Sequence, residues 1–182
     1  MNENYIHPQR KTKVVFVQLG SPSEPTTKAL RKYLRKFLGD PRVVDINPWL
    51  WKFILNFFVL PFRPKKSAKL YARIWDGKSF PLITNTRDFT NNVREELKKI
   101  DPSGHVEVNH AFLLSPPYVN EVYDSWEDDL KKGIGATKLL VIPMFPQYSE
   151  STIASGIDAL AKELSKRVKI PTFEVITNFH RI

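Results

Sequence analysis

The feature that most constrains this chain is an apolar run, Leu139 to Phe145, followed at once by a polar loop and a helical pattern. The run shows no polar alternation, which is typical of a strand buried on both faces of a parallel sheet. Pro146 ends the strand, and Ser149 and Ser151 are residues that commonly begin a helix. Apolar residues then recur at helical spacing as far as Leu164. The sequence therefore predicts a strand–loop–helix unit of an α/β protein.

This corner is also the first candidate for a ligand site. In open α/β sheets, ligands bind beyond the carboxyl ends of the strands and face the donors at the start of the next helix. Gln147, Tyr148 and Ser149 occupy that position. Every strand-to-helix corner shares this general pattern, so the purely structural interpretation stays open on composition alone.

The remaining chain repeats the alternation of strands and helices. Three further strands are predicted over residues 13–19, 106–114 and 172–177, and helices over 26–37, 67–75, 85–100, 119–132 and from the Ser149–Ser151 corner to Val168. In the helix at 67–75, we expect Leu70, Tyr71 and Ile74 to face inward. The alternation predicts an α/β fold, a doubly wound four-stranded parallel sheet flanked by helices. One domain over residues 13–182 would follow an N-terminal tail at 1–12.

Composition limits the partners. The chain has 28 Lys and Arg against 19 Asp and Glu, a net charge of +9, which favours an anionic partner such as nucleic acid, acidic lipid or a carboxylate-bearing small molecule. Scattered, solvated lysines would explain the same excess. We see no nucleic-acid-binding motif. The absence of cysteine excludes a disulfide framework, thiol chemistry and zinc thiolates. We see no signal-peptide pattern at the N-terminus and expect a cytoplasmic location.

An apolar segment at residues 48–62 is the most unusual part of the sequence, and we call it the apolar lip. Lys52 is its only charged residue, and a basic cluster follows it directly. At this length it cannot span a bilayer, and it predicts an interfacial helix that touches an anionic membrane or a flat apolar ligand. A core helix packed on the sheet is the alternative. The lip aromatics are Trp49, Trp51, Phe53, Phe57, Phe58 and Phe62, and the cluster is Arg63, Lys65, Lys66 and Lys69.

No catalytic constellation is evident from residue chemistry. The four histidines show no helical metal-binding spacing, and no nucleophile elbow is present. His110 falls within a predicted strand, where we interpret it as a structural histidine.

Three segments in order, LGSPSEPTTKALRKYLRKFLGDPRVVD, RPKKSAKLYARIW and FPQYSESTIASG, resemble the N-terminal half of a ferrochelatase. The resemblance covers about residues 13 to 182. It implies two similar doubly wound halves with a porphyrin between them, and the insertion of ferrous iron into protoporphyrin IX. The family's apolar lip coincides with residues 48–62 here.

The resemblance also implies site residues. Arg63 and Tyr71 match family positions that contact porphyrin, and Gln147, Tyr148 and Ser149 match the loop that lines the cleft. Ser79 stands one residue before Phe80-Pro81, where the family usually has Ser-Pro. Leu113-Leu114 replaces a common arginine–tyrosine pair. The family's metal-handling histidine and glutamate belong to its second half, so no catalytic or metal residue is assigned here.

The resemblance thus predicts a porphyrin-binding wall with no permanently bound cofactor, whose substrates are protoporphyrin IX and ferrous iron. Expected partners are porphyrin, a second chelatase half or a second copy of this chain, and an anionic membrane surface, with no nucleic acid. Peripheral attachment to the inner face of the membrane stays open. Two alternatives also stay open: a homodimeric chelatase that uses His110 or His180, and a non-catalytic tetrapyrrole-binding module.

Overall fold

The centre of the molecule is a four-stranded, all-parallel sheet. The computed structural model describes residues 11–133 and 136–178. The strands are β1 (Thr12–Gln18), β2 (Val106–Phe112), β3 (Lys138–Pro143) and β4 (Thr172–Val175), arranged in the order β2-β1-β3-β4. In register, Val14 of β1 lies between Val108 of β2 and Leu140 of β3. The α/β prediction is confirmed. Of the predicted N-terminal tail at 1–12, residues 1–10 lie outside the described residues. Thr12 is the first residue of β1.

Helices cover both faces of this sheet. The α-helices are α1 (Thr27–Leu38), α2 (Pro48–Ile54), α3 (Arg63–Tyr71), α4 (Pro81–Ile100), α5 (Val119–Lys131) and α6 (Ser155–Leu164). A π-helical segment, Leu55–Val59, follows α2, a 3-10 turn, Ala72–Ile74, follows α3, and a second π-helical segment, Glu150–Ala154, precedes α6. Helices α5 and α6 pack on one face through residues such as Trp126 and Leu160, and α4 packs on the other through Val93 and Leu97.

Helix α1 follows directly from its sequence. The Thr26 side chain accepts a hydrogen bond from Ala29 N at 3.2 Å, which satisfies a free donor of the first turn. Leu30, Tyr33 and Leu34 recur at helical spacing and are buried. Arg35 in the last turn adds a favourable charge at the helix C-terminus. Capping and periodicity together explain why the predicted helix at 26–37 is observed within one residue.

The apolar run that forms β3 is less buried than predicted. Leu139, Val141 and Pro143 are buried beneath α5 and α6, whereas Leu140 and Ile142 on the opposite face are only half-buried. On that face, α4 packs against β2, which is separated from β3 by β1. The surface of β3 on this face is therefore only partly covered. A continuous apolar run indicates that both faces of the strand can be buried, but it does not predict which helix covers each face.

Several predicted boundaries shift by a few residues. The second strand ends at Phe112 instead of residue 114, the 85–100 helix begins at Pro81, and α6 ends at Leu164 instead of Val168. The inward orientation of Leu70 and Ile74 is wrong, since these side chains are 53% and 55% exposed. Helix α3 buries Pro64 and Ala68 instead, and apolar residues on both sides of a short helix make its periodicity ambiguous.

Candidate functional site

The three strand-to-helix loops that the structure describes open at the carboxyl edge of the sheet, where two cavities of about 400 Å³ each are found. One lies between α1 and the β1–α1 and β2–α5 loops, and the other lies between the end of α1, β2 and α6. Leu114 and Tyr118 line both cavities, which therefore adjoin as parts of one cleft. This is where open α/β sheets bind their ligands.

We call the first of these the lysine-rimmed cavity. Among residues 11–133 and 136–178, the charged residues that line it are Lys32, Lys36 and Lys78, and no carboxylate does. The Lys36 ammonium donates to the Tyr118 hydroxyl at 3.1 Å and lies 4.4 Å from the centre of that ring. The apolar and hydroxyl lining comprises Tyr33, Trp75, Phe80, Ile83, Leu114, Ser21, Ser79 and Ser115. The cavity is thus apolar at its walls and cationic at its rim.

The wall beside β1 depends on a glycine. Gly20 has a φ of +91°, and a Cβ at this position would collide with the Ser115 hydroxyl. The amide of Ser21 donates to that hydroxyl oxygen at 3.3 Å, and both serines are buried. The close approach brings the β1–α1 loop against the β2–α5 loop and fixes the wall that these loops share.

A group of aromatic rings forms a second wall of the lysine-rimmed cavity. The Tyr33 hydroxyl donates to Gly20 O at 3.4 Å, and its ring lies 6.2 Å from that of Tyr71. Tyr71 in turn meets Phe80 edge-on at 5.5 Å, and Trp75 lies 4.6 Å from Phe80. Burial, together with the neighbouring Tyr71, raises the pKa of Tyr33 well above its ordinary value, so the phenol stays a neutral donor.

The second cavity, which we call the mixed cavity, carries charges of both signs. Asp40, Asp158 and Glu163 line it together with Lys162 and Lys166. Leu19, Leu113, Ser151 and Ser155 supply neutral surface.

An ion pair connects the segment between α1 and the apolar lip with α6, beside the mixed cavity. Arg42 donates to both carboxylate oxygens of Asp158, at 2.8 and 3.2 Å. This hydrogen-bonded guanidinium lowers the pKa of Asp158.

The β3–α6 loop begins its helix by a different route from the one predicted. Ser149 is the capping residue, but its carbonyl oxygen does the capping and accepts from Ile153 N at 2.9 Å. Ser151 lies inside the π-helical segment, and its hydroxyl is 3.1 Å from that of Ser149. The prediction of Ser151 as a cap is wrong. Gln147 and Tyr148 are exposed at the tip of the loop.

The apolar lip is folded as α2 followed by the Leu55–Val59 π-helical segment, instead of one helix. Three of its exposed aromatic rings form a group, in which Phe53 lies 4.9 Å from Phe57 and 6.0 Å from Phe58. Trp49 and Phe62 are 81% and 73% exposed. Within residues 11–133 and 136–178, no helix combines the length and apolar character needed to cross a bilayer.

The inner side of the lip holds it to the body of the protein. Trp51 is half-buried, and its indole donates to Leu38 O at 2.6 Å. Leu55 and Leu60 are buried in the cluster beneath α1, and Arg31 donates to Leu60 O at 3.3 Å. One side of the segment therefore packs against α1, as a core helix would, and the other side is exposed. Contact of the exposed side with a membrane or a flat ligand stays a prediction. Trp51 belongs to the packed side.

The predicted porphyrin-binding residues fall into separate groups. Ser79 lines the lysine-rimmed cavity. Tyr71 lies behind that lining and contacts Phe80, which also lines the cavity. Arg63 is the first residue of α3, about two turns before Tyr71. Its side chain is exposed and forms no hydrogen bond or ion pair with the described residues. Gln147, Tyr148 and Ser149 lie instead in the loop that leads to the mixed cavity.

The sequence interpretation missed the cationic rim. Lys32 and Lys36 are four residues apart, a spacing that places both on one side of α1 beside Tyr33. That signal was available from the sequence, but it resembles any solvated helix face. Lys78 lies in a turn where the Asp76 carboxylate accepts from the amides of Lys78 and Ser79, at 2.7 and 2.5 Å. Because a turn has no periodic sequence pattern, the sequence does not show which surface Lys78 lies on.

Neither of the two histidines that the structure describes lines the cleft. His110 lies on β2 beside Phe112, 5.5 Å away, and lines neither cavity. His180 lies outside the described residues. Within the described part of the chain, no group of three or more His, Cys, Asp or Glu side chains is placed to hold a metal ion.

Comparison with known proteins identifies the family. A family model described as ferrochelatase matches residues 11–182. The ferrochelatase of Idiomarina loihiensis is 41% identical over 170 residues, which cover 93% of this chain and 45% of the relative. That of Marinobacter nauticus is 38% identical over 98% of this chain and 47% of the relative. The coproporphyrin III ferrochelatase of Streptococcus mutans is 39% identical over 94% of this chain and 52% of the relative. The chain spans about half the length of the curated relatives it matches. These matches confirm the resemblance, and the chain belongs to the ferrochelatase family.

Proposed function

We propose that this chain forms the porphyrin-binding wall of a ferrochelatase that inserts ferrous iron into protoporphyrin IX. The observation that carries the proposal is the cleft at the carboxyl edge of the sheet, which has apolar walls, a cationic rim and exposed aromatics nearby. A porphyrin is a flat apolar ring with carboxylates at its edge, and this cleft offers both kinds of surface. Iron and porphyrin are substrates in this proposal, and no resident cofactor is required.

The proposed pose follows from the chemistry of each group. The ring would lie against the exposed aromatics of the apolar lip, and a propionate would approach Arg63, whose guanidinium has no partner among the described residues. Tyr71 and Ser79 would contact the porphyrin from the side of α3 and α4. Gln147, Tyr148 and Ser149 would contact it from the β3–α6 loop.

Fluorescence titration with protoporphyrin IX tests this proposal. We expect saturable binding that weakens in Arg63→Ala and is retained in Arg73→Ala, a matched change of an exposed arginine in the 3-10 turn outside both cavities. Coproporphyrin III, named in one relative, provides a second porphyrin for comparison. Non-saturable partitioning of protoporphyrin into the wild-type protein would contradict the proposal.

The metal-handling groups would come from a second ferrochelatase half. Two pyrrole protons must leave as the metal enters, so the reaction needs a base that faces the ring. The family resemblance assigns those groups to the second half, and His110 lines neither cavity. Iron insertion by the purified chain should therefore stay near background until such a half is supplied.

A homodimeric chelatase is the competing possibility for activity. It would be supported by robust turnover of the purified chain that His110→Ala or His180→Ala abolishes. A non-catalytic tetrapyrrole carrier would instead bind porphyrin and stay inactive after a second half is added. The same binding and insertion assays therefore separate all three functions.

The exposed side of the lip supports a further part of the proposal, peripheral attachment to an anionic membrane. The aromatics would enter the headgroup region while Lys65, Lys66 and Lys69 approach the lipid charges. All three lysines belong to α3.

A further inference from the structure

We propose that the lysine-rimmed cavity binds a carboxylate, and that its natural occupant is a propionate side chain of the tetrapyrrole. The inference depends on the proposed function for the identity of the ligand. It adds a site formed by Lys32, Lys78 and Ser115, none of which the family resemblance assigned. The juxtaposition that carries it is a cavity of about 400 Å³ that, among the residues described by the structure, is lined by three lysines and by no carboxylate.

The charge distribution distinguishes the two cavities. The lining of the lysine-rimmed cavity carries three positive charges, whereas that of the mixed cavity carries two lysines against three carboxylates. An anion that enters the cleft would therefore be drawn toward the lysine-rimmed cavity, because like-charged walls focus the field within a cleft. The mixed cavity offers no such excess of positive charge, because Asp158 pairs with Arg42 and Glu163 pairs with Lys166.

The lysines are also available. The Lys36 ammonium is held by Tyr118, but the ammonium groups of Lys32 and Lys78 form no hydrogen bond or ion pair with the part of the chain that the structure describes. Asp76 is the nearest carboxylate in sequence to Lys78, and its oxygen already accepts the amides of Lys78 and Ser79. The two ammonium groups can thus donate to a ligand without breaking a side-chain hydrogen bond among the described residues, although Asp76 remains an attractive charge near Lys78.

The hydroxyl groups and the apolar wall define the class of anion. Ser115 accepts from Ser21 N, so its own hydroxyl proton can be donated to a ligand oxygen. Ser79 adds a second hydroxyl, and the Tyr71–Phe80–Trp75 rings lie beside it. A carboxylate on a short alkyl chain fits this combination, because its methylene groups contact the aromatic wall while its oxygens meet hydroxyl and ammonium donors.

A titration with sodium propionate tests the site without any porphyrin. We expect saturable shifts of the Ser79 and Ser115 amide signals in NMR spectra, and no such shifts with propionamide, a neutral molecule of the same shape, at equal ionic strength. The Lys32→Met/Lys78→Met variant should lose the propionate response, and Lys32→Arg/Lys78→Arg should retain it. Lys28→Met is the control, since Lys28 is exposed on α1 but does not line the cavity. Equal shifts with propionate and propionamide, or an unchanged response in the methionine variant, would overturn the inference.

The second arm uses protoporphyrin IX and its dimethyl ester in the same detergent solution. The Lys32→Met/Lys78→Met variant should bind the free acid about threefold to tenfold more weakly, the range of one to two exposed ion pairs. It should bind the ester as the wild type does. Equal losses for both ligands would overturn the inference while the proposed function stands. If the wild type bound neither porphyrin saturably, the proposed function would fail, and the propionate titration would still decide whether the cavity binds carboxylate.

Discussion

At the residue scale, the position with the tightest geometric demand is Gly20. Its positive φ suits glycine, and its Cα faces the Ser115 hydroxyl so closely that a methyl group has no room. We expect Gly20→Ala to lower the free energy of unfolding by about 3 kcal/mol, the combined effect of backbone strain and overpacking. Urea unfolding followed by circular dichroism measures the loss.

Gly77 provides the matched control. Its φ is +95°, but a Cβ there meets no atom within 4 Å. Gly77→Ala should therefore cost only the backbone strain, about 1 kcal/mol. An equal decrease in the free energy of unfolding for the two variants would show that the close contact between Gly20 and Ser115 does not contribute to the cost of Gly20→Ala.

His110 predicts a pH dependence of stability. Burial, with smaller contributions from Arg94 and Arg87, lowers its pKa from the ordinary value of 6.5. As the pH falls through that value, the unfolded chain takes up a proton before the folded protein does, so the free energy of unfolding decreases. We expect the wild type to lose more stability than His110→Leu between about pH 7 and about pH 5 in urea unfolding. Parallel profiles for the two proteins would contradict the assignment.

At the element scale, α6 contains an unfilled position. Gly156 is buried within the helix, and a Cβ built on it meets no heavy atom within 4 Å. It lines a small apolar cavity of about 20 Å³ together with Val17 and Leu160. Gly156→Ala should raise the free energy of unfolding by about 1 kcal/mol, because alanine restricts the unfolded chain and suits a helix better than glycine.

The reverse change at Ala161, which is exposed on the same helix, calibrates this effect. Ala161→Gly should cost about 1 kcal/mol from helix propensity alone. A gain at Gly156 larger than that loss would measure the added packing in the small cavity. Destabilisation by Gly156→Ala would show that the helix cannot accept a side chain there.

Helices α1 and α3 show how far periodicity identifies a functional face. For α1, the predicted helix agrees with the Thr26 cap and with the apolar stripe of Leu30, Tyr33 and Leu34 that the structure buries. For α3, apolar residues surround the helix, and only contact with α1 decides that Ala68 is buried and Leu70 is exposed. In the sequence, Lys32 and Lys36 resemble ordinary surface charges, because only the tertiary structure shows that they line one cavity together with Lys78.

At the scale of the whole molecule, the apolar lip predicts binding to anionic vesicles in flotation assays. Phe57→Ser/Phe58→Ser should weaken partitioning by at least about tenfold, because burying a phenylalanine contributes roughly 1.5 kcal/mol or more. High salt should also weaken it by screening Lys65, Lys66 and Lys69.

Ile100→Ser is the matched control for the flotation assay. Ile100 is 79% exposed, close to the value for Trp49, but it lies at the end of α4 outside the lip. This variant should bind vesicles as the wild type does. Equal binding of the wild type to neutral and anionic vesicles would contradict the electrostatic part of the prediction.

The sequence by itself determined the elements and the family. Apolar runs specified the four strands, capping and periodicity specified the helices, and the motifs around Arg63, Tyr71 and Pro146–Ser149 identified a ferrochelatase-type chain. These features are local, so they are present in the order of residues before the chain folds.

Only the tertiary structure decided which side of the lip is exposed, that Trp51 packs inward, and that Lys32, Lys78 and Ser115 surround one cavity. These properties depend on contacts between residues far apart in the chain, such as Gly20 against Ser115 and α1 against the lip. Local periodicity contains no information about such pairs, because burial is set by whichever surface the fold brings opposite each side chain.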